Sequence, residues 1–392
     1  MTEIQIFTCF LVPNRPKVSS LRLVFASLLL LSNSFTVKTK AQSSNGFSIE
    51  PSLHFGHIFK HSPKLTIPIA PLSIGNEIHF NWQTLGQKAW HEWQGYPSVG
   101  VGFLHYDLGK KEVLGDAFAV YPSLDLRIFK RATWFRSSVQ LGWGVAYLTK
   151  HYDQFTLPIN NAIGSAINNI TSLKLRFKKP LTAHWVVESN FSFTHFSNGS
   201  SRLPNYGINI PALNLGLIWQ VQNIDNQSFI RRDSSKRSSK KWGVNAFGGL
   251  GLSASSVSRG PQYPIYAAAL SIVRPLNKVN NLSVGIQYEQ NRVVAEFGLG
   301  NGEYTSKAQA FKAGSRWGIF AGEEFMFGHV ALILQSGYYL QQYESLESRW
   351  FSRLGVRLYS PHFGKVQGHI GIYLKAHKII AEQFCVLTGV YF

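Results

Sequence analysis

Along most of the chain, apolar positions recur every second residue. FSIEPSLHFGHIF (47–59), YPSVGVGFLHYDLG (96–109), ATWFRSSVQLGWGVAYL (132–148) and LSVGIQYEQNRVV (282–294) alternate and end in turn residues. That is the period of a β-strand with two unlike faces. Such runs are long for a soluble sheet and suit tilted membrane-spanning strands of about 9–11 residues. In the third run Phe135, Val139, Leu141, Trp143, Val145 and Tyr147 share one face. Gln140, Gly142, Gly144 and Ala146 share the other. An aromatic, apolar outside over a small or polar inside is the wall of a narrow barrel. The last strand, IIAEQFCVLTGVYF, alternates to a terminal Phe392. It resembles the closing strand of outer-membrane barrels, which the assembly machinery recognises.

About eight such segments fall between 47 and 221, and six to eight between 242 and 392. The stretch between them, 223–241, is basic and Ser-rich and reads as a loop or linker. The expected fold is all-β, an antiparallel transmembrane outer-membrane β-barrel of about 14 strands, with two eight-stranded halves (42–222 and 242–392) as the alternative. An even strand count before the linker returns the chain to the periplasmic side. The 198–204 loop then faces outward from the cell. SLKLRFKKPL…SFTHFSNG and RLGVRLYSPH…IYLKAHKII form a weak internal repeat, in which His377 answers to His195 and Ile379 to Ser197.

Composition agrees with a barrel. Charged residues make up 15% of the 392 and aromatics 14%, a surface short of charge for a soluble protein. At the N-terminus, Arg15, Lys17 and Arg22 precede the apolar run Leu23–Leu31, and small residues follow. Residues 1–41 therefore read as a signal peptide cleaved near Ala41, with an N-terminal anchor as the alternative. No other stretch reaches the length of a membrane helix. The net charge is +19, and residues 1–42 hold five Lys/Arg against one Asp/Glu, which leaves +15. For an exported chain this points to a phosphate-bearing lipid surface, not to nucleic acid. Outside the leader, Cys385 is alone and makes no internal disulfide.

The candidate chemistry sits in FSFTHFSNGSSRLPNYGIN (191–209). Alternation puts Val187, Ser189, Phe191, Phe193, His195 and Ser197 on the lipid side, and Glu188, Asn190, Ser192 and Thr194 in the lumen. On the next strand Asn209, Pro211, Leu213, Leu215, Leu217 and Trp219 point outward, so Asn209 comes near His195. Polar groups on a lipid face are costly and mark function. Ser beside His begins a nucleophile–base pair that a third polar residue can orient. Asn198 and Asn205, with loop amides, are candidates to shape the loop and an oxyanion hole. A His at the membrane–water boundary also reads as an ordinary interfacial residue.

HFSNGSSRLPNYGIN resembles the motif of the lipid A 3-O-deacylase (PagL) family. Its pattern is His, Ser two later, Asn, then Pro-Asn-x-Gly and an acidic residue fourteen after the His. The matches are His195, Ser197, Asn198, Pro204, Asn205 and Gly207; LPINNAIGSAIN (157–168) and WVVESNFSF are similar in character. The likeness covers about residues 47–222. It implies an outer-membrane esterase acting on lipid A or lipopolysaccharide, with no metal and no other cofactor. The departure is Asn209 where the family has Glu. Asn can fix the imidazole tautomer but cannot supply charge. A non-catalytic barrel with a decayed site, a pore, and a soluble exported β-protein are the rival readings.

Other motifs carry less. HEW (91–93) lacks the second His of a zinc helix. FGGLGL (247–252) has no helix to follow it. His54, His57 and His61 read as strand-end histidines rather than metal ligands. The ten Trp and sixteen Tyr suit interfacial girdles.

Overall fold

The computed structural model describes residues 46–128, 135–224, 228–231, 242–254, 260–341, 348–378 and 380–392. The proposed leader and most of the linker lie outside these residues. A strand exposes unpaired N–H and C=O groups at its edge. In hydrocarbon such an edge is tolerated only when the sheet closes on itself. The chain meets this requirement twice.

The first ring is β1 (Phe47–Gly56), β2 (Ser73–Gln83), β3 (Ser98–Asp107), β4 (Asp116–Arg127), β5 (Arg136–Leu148), β6 (Ile167–Pro180), β7 (Trp185–Ser197) and β8 (Ile208–Gln220). It closes when β8 pairs antiparallel with β1, Leu213 opposite Phe55. The second ring is β9 (Gly243–Ala254), β10 (Gln262–Pro275), β11 (Asn280–Asn291), β12 (Ser315–Phe327), β13 (Val330–Gln341), β14 (Trp350–Phe363), β15 (Val366–His377) and β16 (Ile380–Tyr391). It closes through β16 on β9, Thr388 opposite Gly248. The single ring of about 14 strands is thus replaced by its alternative, two eight-stranded barrels. The edges β1 and β8 satisfy each other before the linker begins, so nothing remains for a later strand to pair with.

The alternation sorts side chains as expected. Outside, Leu53, Phe103, Phe118, Val145, Phe191 and Leu213 are exposed to the lipid level, while Gln140, Gly142 and Ala146 of β5 are buried. Gly142 is needed there: a methyl group on it would lie 2.4 Å from the Tyr121 ring.

Each lumen is filled by paired charges. In the first, Arg176 bonds Glu188, Asp125 (2.7 Å) and Glu50 (2.6 Å), and Lys174 bonds Glu77 at 2.5 Å. In the second, Arg357 pairs with Glu324 (2.5 Å), Arg316 with Glu382 (2.6 Å), and Lys375 with Glu289 and Glu382 (2.5 and 2.8 Å). Charges this far from water persist only when paired and hydrogen-bonded. No helix among the described residues is long and apolar enough to cross a membrane.

Among the described residues three short helices interrupt the strands: α1 (Ala89–Trp93), α2 (Arg292–Gly300) and α3 (Lys307–Gly314). The strand period of 282–294 ends earlier than its alternation indicates. Asn291 Oδ1 accepts the amides of Val293 and Val294, an N-cap that turns the chain into α2. HEW lies in α1, at the same rim as the start of β1 and the end of β8. FGGLGL lies within β9.

Candidate active site

The loop 198–207 joins β7 to β8 at the rim opposite α1. Register places His195 directly across from Asn209 on β8 and across from Thr171 on β6; Ser197 stands across from Asn169. Directly opposed residues bring their Cβ atoms within about 5.5 Å. His195 Nδ1 and Asn209 Oδ1 are accordingly 2.5 Å apart. A carboxamide oxygen can only accept, so Nδ1 carries the proton and Nε2 keeps its lone pair. This tautomer follows from the hydrogen-bond network. The other half of the Asn209 amide donates to His61 Nδ1 at 2.8 Å. The backbone beyond β1 brings His61 there, with Phe59 N–H bonded to Asn209 O at 2.8 Å.

Ser197 is buried at the strand's end, and its Oγ accepts from Asn205 Nδ2 (3.0 Å) and from the Gly199 amide (3.2 Å). Asn205 Oδ1 also takes the Asn198 amide at 3.1 Å, which folds the loop back on the strand. The Asn198 side chain donates to Ser165 Oγ (3.0 Å) and to Arg202 O (2.9 Å). One of these bonds ties the loop to itself and the other ties it to the β5–β6 connection. Ser197 Oγ and His195 are not hydrogen-bonded to each other here; such pairs often tighten only when substrate binds.

Gly207 has φ +80°, and a methyl group on it would lie 2.8 Å from His195 Cε1. Only glycine permits both that conformation and that approach to the ring. Its amide donates to Ala162 O at 2.9 Å. Ala162 and Ser165 both belong to the stretch NNAIGSAIN, so the β5–β6 connection forms the floor under the loop.

All five candidate residues therefore meet at one rim: His195, Asn209, Ser197, Asn205 and Asn198. The sequence reading missed His61 and Gly199. Gly199 was within reach, since an amide two residues past a nucleophile is a natural donor to it. Nothing local marks His61, because its contact spans 148 residues. The three neighbouring histidines part company. His54 is sealed in the lumen, 3.0 Å from Glu77, and His57 bonds Pro71 O at the surface. Among the described residues no cluster of three metal-binding side chains forms. His377 faces its own lumen, with Nε2 on Glu382 Oε2 at 3.1 Å. Ile379 lies outside the described residues.

Two family models match the chain. Residues 75–217 match the lipid A 3-O-deacylase (PagL) model, and 240–389 match the acyloxyacyl hydrolase C-terminal domain of the same name. Among solved structures, the outer membrane enzyme PagL shares 13% identity with a TM-score of 0.29, covering 43% of this chain and 97% of its own. Neisserial surface protein A shares 9% at a TM-score of 0.30, covering 44% and 96%. A Rhodopseudomonas blastica porin variant shares 8% at 0.16, covering 88% and 99%. Likenesses this low carry no weight beside the ladders described above. No curated protein matches the sequence.

Proposed function

Because the chain belongs to the lipid A 3-O-deacylase (PagL)-like acyloxyacyl hydrolase family, we propose that it removes an ester-linked acyl chain from lipid A or a related outer-leaflet lipid, with Ser197 as nucleophile and His195 as base. The observation that carries this is the His195–Asn209 hydrogen bond on the lipid side of the barrel, with Ser197 on the same strand face. The acyl chain would lie along Phe193, Phe191, Leu213 and Leu215, which are exposed below the site.

Ser197 Oγ attacks the ester carbonyl carbon and its proton passes to His195 Nε2. The tetrahedral oxygen takes hydrogen bonds from Gly199 N–H and Asn205 Nδ2, the groups already nearest Oγ. Collapse breaks the C–O bond, and the imidazolium returns its proton to the departing sugar hydroxyl. Water, deprotonated by the same His195, then releases the fatty acid from Ser197. Asn209 holds the tautomer throughout but adds no charge to balance the imidazolium.

The two halves on either side of 223–241 read as separate units, the first carrying the chemistry. The linker's rim would be periplasmic and the site's rim external. After export by the 1–41 leader, β16 with its terminal Phe392 would engage the assembly machinery. The rival is a non-catalytic barrel, favoured specifically by Asn209 standing where the family has an acid. Purified protein mixed with lipid A in detergent decides between them. Released fatty acid that disappears with Ser197→Ala supports the esterase; no release from the wild type supports the rival.

A further inference from the structure

The loop that follows Ser197 does not rest on its own barrel alone. Gly199 and Ser200 are consecutive residues in the left-handed region, φ +61° and +63°. For serine that conformation persists only where the surroundings enforce it. Here the enforcing groups come from the second barrel. Ser200 Oγ donates to Ala381 O on β16 at 2.6 Å, and Ser200 O accepts the Ala254 amide from the end of β9 at 2.9 Å. Gln262 Nε2, at the start of β10, donates to Ser201 O at 2.5 Å. The Phe384 ring packs against Gly199, so close that a methyl group there would fall 2.3 Å from Cδ2. The same ring meets Trp143 at 6.2 Å. Trp143 is the outward residue that pairs with Thr171, which in turn pairs with His195.

We infer that the second barrel is part of the catalytic site: Phe384 and the Ala381 carbonyl are positioning groups that hold the Gly199 amide against Ser197 Oγ. This rests on the reading of Ser197 as nucleophile. Gly199 N–H is both a bond to the resting hydroxyl and a donor available to the oxyanion, so its placement bears on the transition state more than on lipid binding. The proposed acyl path over Phe193, Phe191, Leu213 and Leu215 does not include Phe384, which packs on Gly199 and Trp143. The second barrel therefore supplies rigidity to the chemistry, not affinity for the lipid.

The test uses the full chain in detergent, with kcat and KM on lipid A and the rate at which a fluorophosphonate labels Ser197. Phe384→Ala should lower kcat and the labelling rate about tenfold, a fraction of what full loss of an oxyanion donor costs, with KM nearly unchanged. Phe384→Leu should recover most of the loss. Ser200→Ala, a loop change that leaves the ladders intact, should lower both rates about threefold, the scale of one modest hydrogen bond. Phe363→Ala, on an exposed strand end of the second barrel, is the control and should change neither. If Phe384→Ala does not insert, Ser200→Ala alone decides. If Ser197→Ala abolishes turnover while Phe384→Ala and Ser200→Ala match the wild type, the second barrel has no positioning role. The same holds if their loss lies wholly in KM. If Ser197→Ala leaves turnover unchanged, the nucleophile assignment falls and this inference with it.

Discussion

The two barrels are built alike: eight antiparallel strands, an apolar outside, a lumen packed with ion pairs. They part at the last hairpin of each. In the first, β7 and β8 are joined by ten residues, 198–207, and the strand ends turn His195 and Asn209 outward into a hydrogen bond. In the second, β15 and β16 are joined by two residues, 378–379, and His377 turns to Glu382 in the lumen network. On the proposed reading, the loop and not the barrel wall supplies the chemistry. A ten-residue hairpin connection leaves room for an amide and a hydroxyl beside an outward histidine; a connection two residues long does not. The second barrel keeps the scaffold and lends a rim, with Phe384 and Ala381, to the loop of the first.

The sharpest way to break this comparison is to remove the histidines in turn. His195→Ala and Ser197→Ala should each lower fatty-acid release by about 10^3-fold or more, because the pair acts as a unit. His377→Ala should leave at least a tenth of the rate, a cut-off of about 1.4 kcal/mol. Comparable losses from His195 and His377 would erase the division of labour. Next come the lumens, where the barrels should behave alike. Arg176→Ala leaves Glu50, Asp125 and Glu188 short of a partner and should cost the first barrel about 3–5 kcal/mol. Arg357→Ala should cost the second barrel a similar amount, both read from urea unfolding in detergent micelles. A negligible change in either would mean that water, not ion pairing, satisfies that lumen.

Smaller effects sharpen the picture of the site. Asn209→Ala removes the imidazole's orienting bond, worth about 1 kcal/mol, and should slow turnover roughly fivefold. Asn209→Glu should match or exceed the wild type by adding charge beside the imidazolium. An inactive Asn209→Glu beside a normal Asn209→Ala would refute the orienting role. His61→Ala touches only the far side of that amide and should slow turnover about twofold, near 0.5 kcal/mol. A larger effect from His61 than from Asn209 would reverse the order of the hydrogen-bonded chain, and measured kcat values would show it.

Much of this molecule was legible in one dimension. Side chains on a strand alternate faces by covalent geometry, so parity alone placed His195 and Asn209 outward and Glu188 and Asn190 inward, without knowledge of the partners. The same rule gave the lipid face of β5 and the eight strands before the linker. It could not count the barrels, because closure depends on which edges meet, and either β8 to β1 or β8 to β9 satisfies an alternating pattern. The approach of His61 to Asn209, the turn of His377 toward Glu382, and the seating of Gly199 on Phe384 likewise required the folded chain. These contacts join residues far apart in sequence, and their geometry is set by strand register, ring closure and the packing of one rim on another. A local period carries no information about any of the three.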